Sequence, residues 1–88
     1  MVNHNCVGAI AAFSTVIVKQ PRLADAYGYR SLAENGCEHY GNALADANAA
    51  LKLDPKNSLG LTARGKVYAS TGKVQDSLDD SLKLLALD

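Results

Sequence analysis

Residues Ala43–Pro55 read ALADANAALKLDP, a run of small and apolar residues that ends in proline. Pro21 closes the segment Lys19-Gln20-Pro21 and lies 34 residues before Pro55. The sequence stops at Leu87-Asp88, just before the position at which this spacing would place the next proline. A fixed period in this range is typical of stacked helical repeats, in which no unit can bury its apolar face alone. The period therefore predicts a stack of helix pairs.

Length and composition indicate a small folded domain rather than a disordered chain. The 88 residues are 48% hydrophobic and 6% aromatic, which suits a core built from Ala, Leu and Val. Nine basic and nine acidic residues give a formal net charge of zero. We therefore expect neither a nucleic acid nor a membrane as a partner.

Apolar spacing predicts five helices and no strand. Pro21 and Pro55 forbid helix continuation, Asn57 or Ser58 can cap the fourth helix, and Gly36 is expected to be the left-handed stop of the second. Turns of only a few residues predict that sequential helices pack antiparallel in an all-α fold. The predicted helices cover about residues 5–18, 22–35, 39–53, 58–71 and 74–87.

The apolar run Cys6–Val18 also resembles the core of a secretion signal. It lacks a basic segment before it, because Met1–Asn5 carries only His4. It is also too short to span a bilayer. We interpret the run as a helix of the stack and expect a cytoplasmic protein.

With these features the sequence resembles the tetratricopeptide repeat family along its whole length. Ala43–Pro55 looks like the second helix of a repeat, helix B, with its closing turn. The segment Arg64-Gly65-Lys66-Val67-Tyr68 resembles the first helix, helix A, and Gly72 matches the turn glycine. The resemblance implies antiparallel helix-turn-helix units in a right-handed α-solenoid. One domain, 1–88, would then contain a half repeat (1–23), a repeat (24–57) and a truncated repeat (58–88).

Small residues at the helix crossings, namely Ala9, Ala43 and Gly65, are expected to permit close backbone approach. The middle unit departs from the family pattern at three positions of its helix A and following turn. Ser31 replaces the glycine, Glu34 replaces the aromatic residue and Glu38 replaces the turn glycine. We therefore expect this helix A to be shortened or locally distorted. In the last unit Ser77 occupies the alanine site of helix B.

Two polar triplets, His4-Asn5-Cys6 and Cys37-Glu38-His39, invite a metal-site or nucleophile interpretation. The alternative is that both are turn residues at equivalent places in adjacent units, and we favour it because the two-residue gap of zinc knuckles is absent. The sequence thus predicts no catalytic residue, no metal and no cofactor. Two cysteines are too few for a disulfide framework, and a reducing compartment is the default.

The resemblance implies a scaffold that binds a peptide or helix of a partner protein on the concave surface of its A helices. Tyr27 and Arg30 are expected to be structural. The alternative is a self-assembly module that forms homo-oligomers through uncapped terminal helices. The predicted partner-binding residues are Asp25, Tyr29, Leu32, Asn35, Leu59, Thr62, Lys66 and Ser70.

Overall fold

The computed structural model describes residues 6–87, which form five α-helices joined by short turns. These residues contain no strand, and none of their helices is long and apolar enough to cross a lipid bilayer. The all-α prediction is confirmed, and every predicted helix overlaps an observed one. The helices are α1 (Cys6–Lys19), α2 (Ala24–Gly36), α3 (Tyr40–Leu53), α4 (Ser58–Ser70) and α5 (Val74–Ala86).

Each helix packs against its neighbour in sequence, and α2 also packs against α4. The α2–α3 and α4–α5 pairs are therefore two hairpins that stack side by side, with α1 against the first of them. Small side chains fill the core, which lets the helices approach closely. The alanines Ala43, Ala47, Ala50 and Ala63 are completely buried.

The same forked ion pair occurs in both hairpins, at an offset of 34 residues. Arg30 donates through Nε and Nη2 to the two carboxylate oxygens of Asp46, each at 2.7 Å. Arg64 donates in the same way to Asp80, at 2.9 and 2.8 Å. Bidentate pairs of this kind are strong and geometrically specific. Each hairpin is therefore fixed by one charged pair between its two helices.

The remaining nitrogen of each guanidinium reaches the helix that precedes the hairpin. Arg30 Nη1 donates to Ser14 Oγ of α1 at 3.2 Å. Arg64 Nη1 donates to Asn48 Oδ1 of α3 at 3.0 Å. Each arginine thus joins three helices.

A serine hydroxyl crosses each hairpin, but from opposite helices. In the first hairpin Ser31 Oγ of α2 donates to the carbonyl oxygen of Ala43 in α3, at 2.6 Å. In the second, Ser77 Oγ of α5 donates to the carbonyl oxygen of Gly65 in α4, at 3.0 Å. Ser31 and Gly65 are equivalent positions, as are Ala43 and Ser77, so the hydroxyl and the small residue have exchanged places.

The tightest backbone approaches lie between the hairpins, at Gly28 and Gly60. A Cβ added to Gly28 would lie 2.9 Å from the Leu59 Cβ, and one added to Gly60 would lie 3.0 Å from the Leu51 side chain. At Gly65 the nearest atom would be 3.8 Å away, an ordinary contact distance. The sequence predicted only a small residue at position 65, and a methyl group would fit there. Glycine is needed where α4 meets α2 and α3.

Helix α2 is neither shortened nor distorted, contrary to the sequence prediction. It has 13 residues, as α4 has, and Gly36 is its last helical residue rather than a left-handed stop. The left-handed position is Glu38, with φ of 64°, and its equivalent in the second hairpin is Gly72, with φ of 81°. A backbone hydrogen bond from His39 to the Glu34 carbonyl, at 2.8 Å, closes this turn. The turn therefore imposes its backbone conformation on a glutamate.

Replacing Glu38 by glycine should stabilise the protein. A left-handed conformation costs an L-residue roughly 1 to 2 kcal/mol, and the greater freedom of glycine in the unfolded chain offsets about half of that gain. We expect Glu38→Gly to raise the free energy of unfolding by about 0.5 to 1 kcal/mol, measured by urea denaturation. The matched change Gly72→Ala should lower it by about 1 kcal/mol. Destabilisation by Glu38→Gly would contradict the prediction.

Candidate functional site

The eight predicted partner-binding residues lie on α2 and α4, the two helices that pack side by side between the hairpins. Their spacing of three or four residues places each set along one side of its helix. We call this combined surface the α2–α4 face. The exposed members are Asp25, Tyr29, Lys66 and Ser70, and the partly buried ones are Leu32, Asn35, Leu59 and Thr62.

Tyr29 is the largest exposed side chain of the α2–α4 face. It is 46% exposed, and its ring stacks on the Phe13 ring of α1, with centroids 5.4 Å apart and planes 10° from parallel. One side of the tyrosine is therefore covered by α1. The sequence gives no signal for this cross-helix stack.

Asp25 is engaged within the protein. Its Oδ1 accepts a hydrogen bond of 2.7 Å from Asn57 Nδ2. The same Asn57 side chain accepts from the Gly60 backbone amide at 2.7 Å, so it caps α4 as the sequence predicted. One buried asparagine therefore both caps α4 and links it to the start of α2.

Leu59, Thr62 and Lys66 lie on the α4 part of the face. Leu59 packs over Gly28, which places it at the seam between α2 and α4. Thr62 and Lys66 line a groove of about 220 Å³ between α4 and α5. Ser70, at the end of α4, lies outside this groove.

The groove between α4 and α5 also contains residues that the sequence analysis did not select. They are Leu61, Gly65, Ala69, Ser77, Ser81 and Leu84. The 34-residue offset gives a signal for Leu84, because its equivalent in the first hairpin, Ala50, contacts Gly60 of α4. Likewise Gly28, the equivalent of Thr62, contacts Leu59 of α4. The groove is therefore the counterpart of the place where α4 packs on the first hairpin.

Tyr27 and Arg30 are structural, as the sequence analysis expected. The Tyr27 hydroxyl donates to the Pro21 carbonyl oxygen at 2.8 Å and so fixes the turn before α2. The Arg30 guanidinium lies 5.9 Å from the centre of the Tyr27 ring. Both side chains are occupied by intramolecular contacts.

Glu34 is a buried carboxyl group at the position that Tyr68 holds in the second hairpin. It is 6% exposed, and its Oε1 has no hydrogen-bond partner in the part of the chain described here. Burial, reinforced by the neighbouring Asp46, raises the pKa of Glu34 to about 8, and Arg30 offsets this only in part. Burial also acts to raise the pKa of Asp46, but the hydrogen bonds from Arg30 and Glu34 outweigh it and leave that pKa lowered. The folded protein thus carries one proton and one negative charge on this pair near neutral pH.

Cys6 and Cys37 are joined by a disulfide, with their Cα atoms 5.8 Å apart. The sequence predicted no disulfide framework and placed the two cysteines in turns of adjacent units, so this bond was not expected. The two cysteines meet because α1 and α2 are antiparallel, so the start of α1 lies against the end of α2.

His4 and Asn5 of the first polar triplet lie outside the described residues. Within residues 6–87, no group of three potential metal ligands comes together.

Comparison with known proteins gives relatives but no matching family model. Human serine/threonine-protein phosphatase 5 is 40% identical over 72 residues, which make up 82% of this chain and 14% of the phosphatase. Mouse sperm-associated antigen 1 is 37% identical over 65 residues, or 74% of this chain and 7% of the relative. Small glutamine-rich tetratricopeptide repeat-containing protein 2 of Saccharomyces cerevisiae is 27% identical over 88 residues, which are 25% of its length. The chain thus spans a quarter or less of each of these relatives.

The buried Glu34 should make stability fall as the pH rises from about 4.5 to about 8. Over this range the folded state keeps the Glu34 proton while the unfolded state releases it, so rising pH favours unfolding. Glu34→Gln should remove this part of the pH dependence and should raise the free energy of unfolding at pH 8.5 by about 1 to 3 kcal/mol.

Urea denaturation at several pH values between 4 and 9 measures this effect. Glu38→Gln makes the same chemical change at an exposed side chain of the following turn, and it should leave the pH dependence in place. An unchanged slope in Glu34→Gln would show that Glu34 does not carry the proton.

Proposed function

The chain belongs to the tetratricopeptide repeat family, and on that basis we propose that it is a protein–protein interaction scaffold. Its partner would bind as an extended peptide or as a helix on the α2–α4 face. The observation that carries the proposal is the row of side chains along two adjacent helices, in which Tyr29 and Lys66 are exposed. Peptide-recognition surfaces commonly use one helix or strand of the partner laid along such a row.

The chemistry of the face indicates which partner it would suit. Tyr29, Leu32 and Leu59 offer apolar contact, and tyrosine is among the residues that most often dominate binding energy. Thr62 supplies a hydroxyl and the exposed Lys66 a positive charge, and both residues line the α4–α5 groove. Asp25 contributes less to partner binding, because its carboxylate already accepts a hydrogen bond from Asn57. We therefore propose a segment that combines an apolar or aromatic side chain with an acidic one.

We propose further that the chain has no catalytic role and needs no cofactor, and that it binds neither nucleic acid nor membranes. The formal net charge of zero supports the last two points. We retain the cytoplasm as the predicted location, and one domain with units at 1–23, 24–57 and 58–88 as the predicted organisation. The repeated contacts at an offset of 34 residues support that division.

Alanine substitutions on the α2–α4 face test the proposal. Peptides of about 12 residues, selected from a displayed library against the folded chain, serve as the probe. Tyr29→Ala, Leu32→Ala and Lys66→Ala should each weaken the selected peptides about tenfold or more by isothermal titration calorimetry, equivalent to about 1.4 kcal/mol. Stability should change little for the exposed sites, by about 0.5 to 1 kcal/mol.

Lys52→Ala provides the matched control, because Lys52 is an exposed lysine on α3 rather than on α2 or α4. It should leave the affinity within about twofold. An equal loss of affinity in Lys52→Ala, or selected peptides without an acidic residue, would argue for a different binding surface.

Self-assembly remains the second candidate function, because α5 carries an exposed apolar stripe. Val74, Leu78, Leu82 and Leu85 are between 52% and 75% exposed and follow a helical spacing. Stripes of this kind are often covered by another protein surface. Burial against a second copy would hide these side chains.

If α5 mediates assembly, sedimentation velocity should show a mass that rises with protein concentration. The double change Leu82→Glu and Leu85→Lys should then give a monomer, whereas Asp79→Asn on the same helix should still associate. A wild-type chain that stays monomeric up to near-millimolar concentration would contradict self-assembly.

A further inference from the structure

Helix α1 lies at one end of the stack and packs on one side only. Among the described helices it packs against α2 alone, and Cys6 is its one buried residue. Its apolar side chains include Val7 and Val18, which are 66% and 81% exposed. The half-buried apolar side chains of α1, among them Ile10, Phe13 and Ile17, therefore hold it against a single neighbouring helix.

Three specific contacts connect α1 to α2 and the turn that follows it. The first is the Cys6–Cys37 disulfide. The second is the stack of Phe13 on Tyr29, and the third is the hydrogen bond between Arg30 and Ser14. This third contact is a longer hydrogen bond than the one from the same guanidinium to Asp46, at 3.2 Å compared with 2.7 Å. The disulfide is thus the one of these three contacts that lies at the start of α1, because Phe13 and Ser14 are further along the helix.

We propose that the Cys6–Cys37 disulfide is a redox-controlled tether, whose reduction releases α1 from α2 while the two hairpins stay folded. Disulfides in a reducing compartment are usually transient and redox-sensing, so such a tether would open there. The hairpins do not depend on it, because the Arg30–Asp46 and Arg64–Asp80 pairs and the buried alanines lie within or between α2 to α5. Local release of a terminal helix that packs against one neighbour is the expected response.

The reductant would be a dithiol. One of its thiolates attacks a sulfur of the Cys6–Cys37 bond, which breaks and leaves a mixed disulfide with the second cysteine free. The other thiol of the reagent then closes its own disulfide, so two electrons and two protons pass to the cysteines. Cys6 and Cys37 are only 5% and 8% exposed, so attack should be slow and should follow partial opening of α1.

Release of α1 would alter the α2–α4 face. The stacked Phe13 leaves with α1, so the covered side of the Tyr29 ring becomes free. The tether therefore controls how much of Tyr29 a partner can contact, a consequence that rests on the proposed function. The release of α1 itself does not rest on it.

Hydrogen exchange measured by mass spectrometry tests the release. The oxidised chain and the chain kept in dithiothreitol are compared, and free thiols are counted to confirm each state. Amides of α1 should exchange at least tenfold faster after reduction, whereas those of α3 and α4 should keep their protection. Equal protection of α1 in both states would overturn the proposal, and so would a loss of protection in all five helices together.

The double variant Cys6→Ser and Cys37→Ser is the matched control. It should show fast exchange in α1 with and without dithiothreitol. Slow exchange in this variant would overturn the proposal, because it would mean that the non-covalent contacts hold α1 by themselves. Two free thiols in the wild-type chain under oxidising conditions would also overturn it.

Aromatic nuclear magnetic resonance of tyrosine-labelled protein follows the effect on Tyr29. Its ring signals should move on reduction, and Phe13→Ala should move them in the same direction while the disulfide stays closed. Unchanged Tyr29 signals in reduced protein with a released α1 would overturn the link to the α2–α4 face. Neither measurement uses a partner, so failure of the proposed binding function would be seen separately in the peptide titrations.

Discussion

The forked contact between an arginine of one helix and an aspartate of the next is the interaction on which this stack depends. Arg30 and Arg64 each bind both oxygens of an aspartate across their hairpin and also reach the preceding helix. Asp80 is only 2% exposed, and without its arginine only the Lys83 ammonium, at 3.9 Å, would be near this buried charge. Loss of the pair would therefore be far more costly than loss of a surface pair. Because the geometry is bidentate, it also fixes the register in which the helices pack.

The two hairpins show that the backbone arrangement is more constant than the residues that satisfy it. The hydroxyl that crosses the hairpin comes from Ser31 in one case and from Ser77 in the other. The left-handed turn is made by Glu38 in one and by Gly72 in the other. In each case the backbone has the same conformation although the residue differs. At Glu38 the left-handed backbone is strained, because this residue has a side chain.

Local features of the fold could be predicted from the sequence. Helix number, the proline boundaries and the Asn57 cap follow from periodicity and from backbone chemistry within a few residues. The disulfide between Cys6 and Cys37 could not, because it depends on which helix ends meet after packing. The stack of Phe13 on Tyr29 could not either, because it depends on which side chains face each other once α1 lies on α2. For the candidate site, the sequence located the row along α2 and α4 by family resemblance. It could not show that the Asp25 carboxylate already accepts a hydrogen bond from Asn57.

The contact of Leu59 with Gly28 has a mechanical consequence for the stack. It lies where α4 crosses α2, at a distance that leaves no room for a methyl group on Gly28. A side chain there would push the two hairpins apart at this point while Asn57 and Asp25 still held the starts of the same two helices together. The two hairpins would then rotate relative to each other about the starts of α2 and α4. Gly28 thereby sets the angle between the two hairpins and the width of the α2–α4 face.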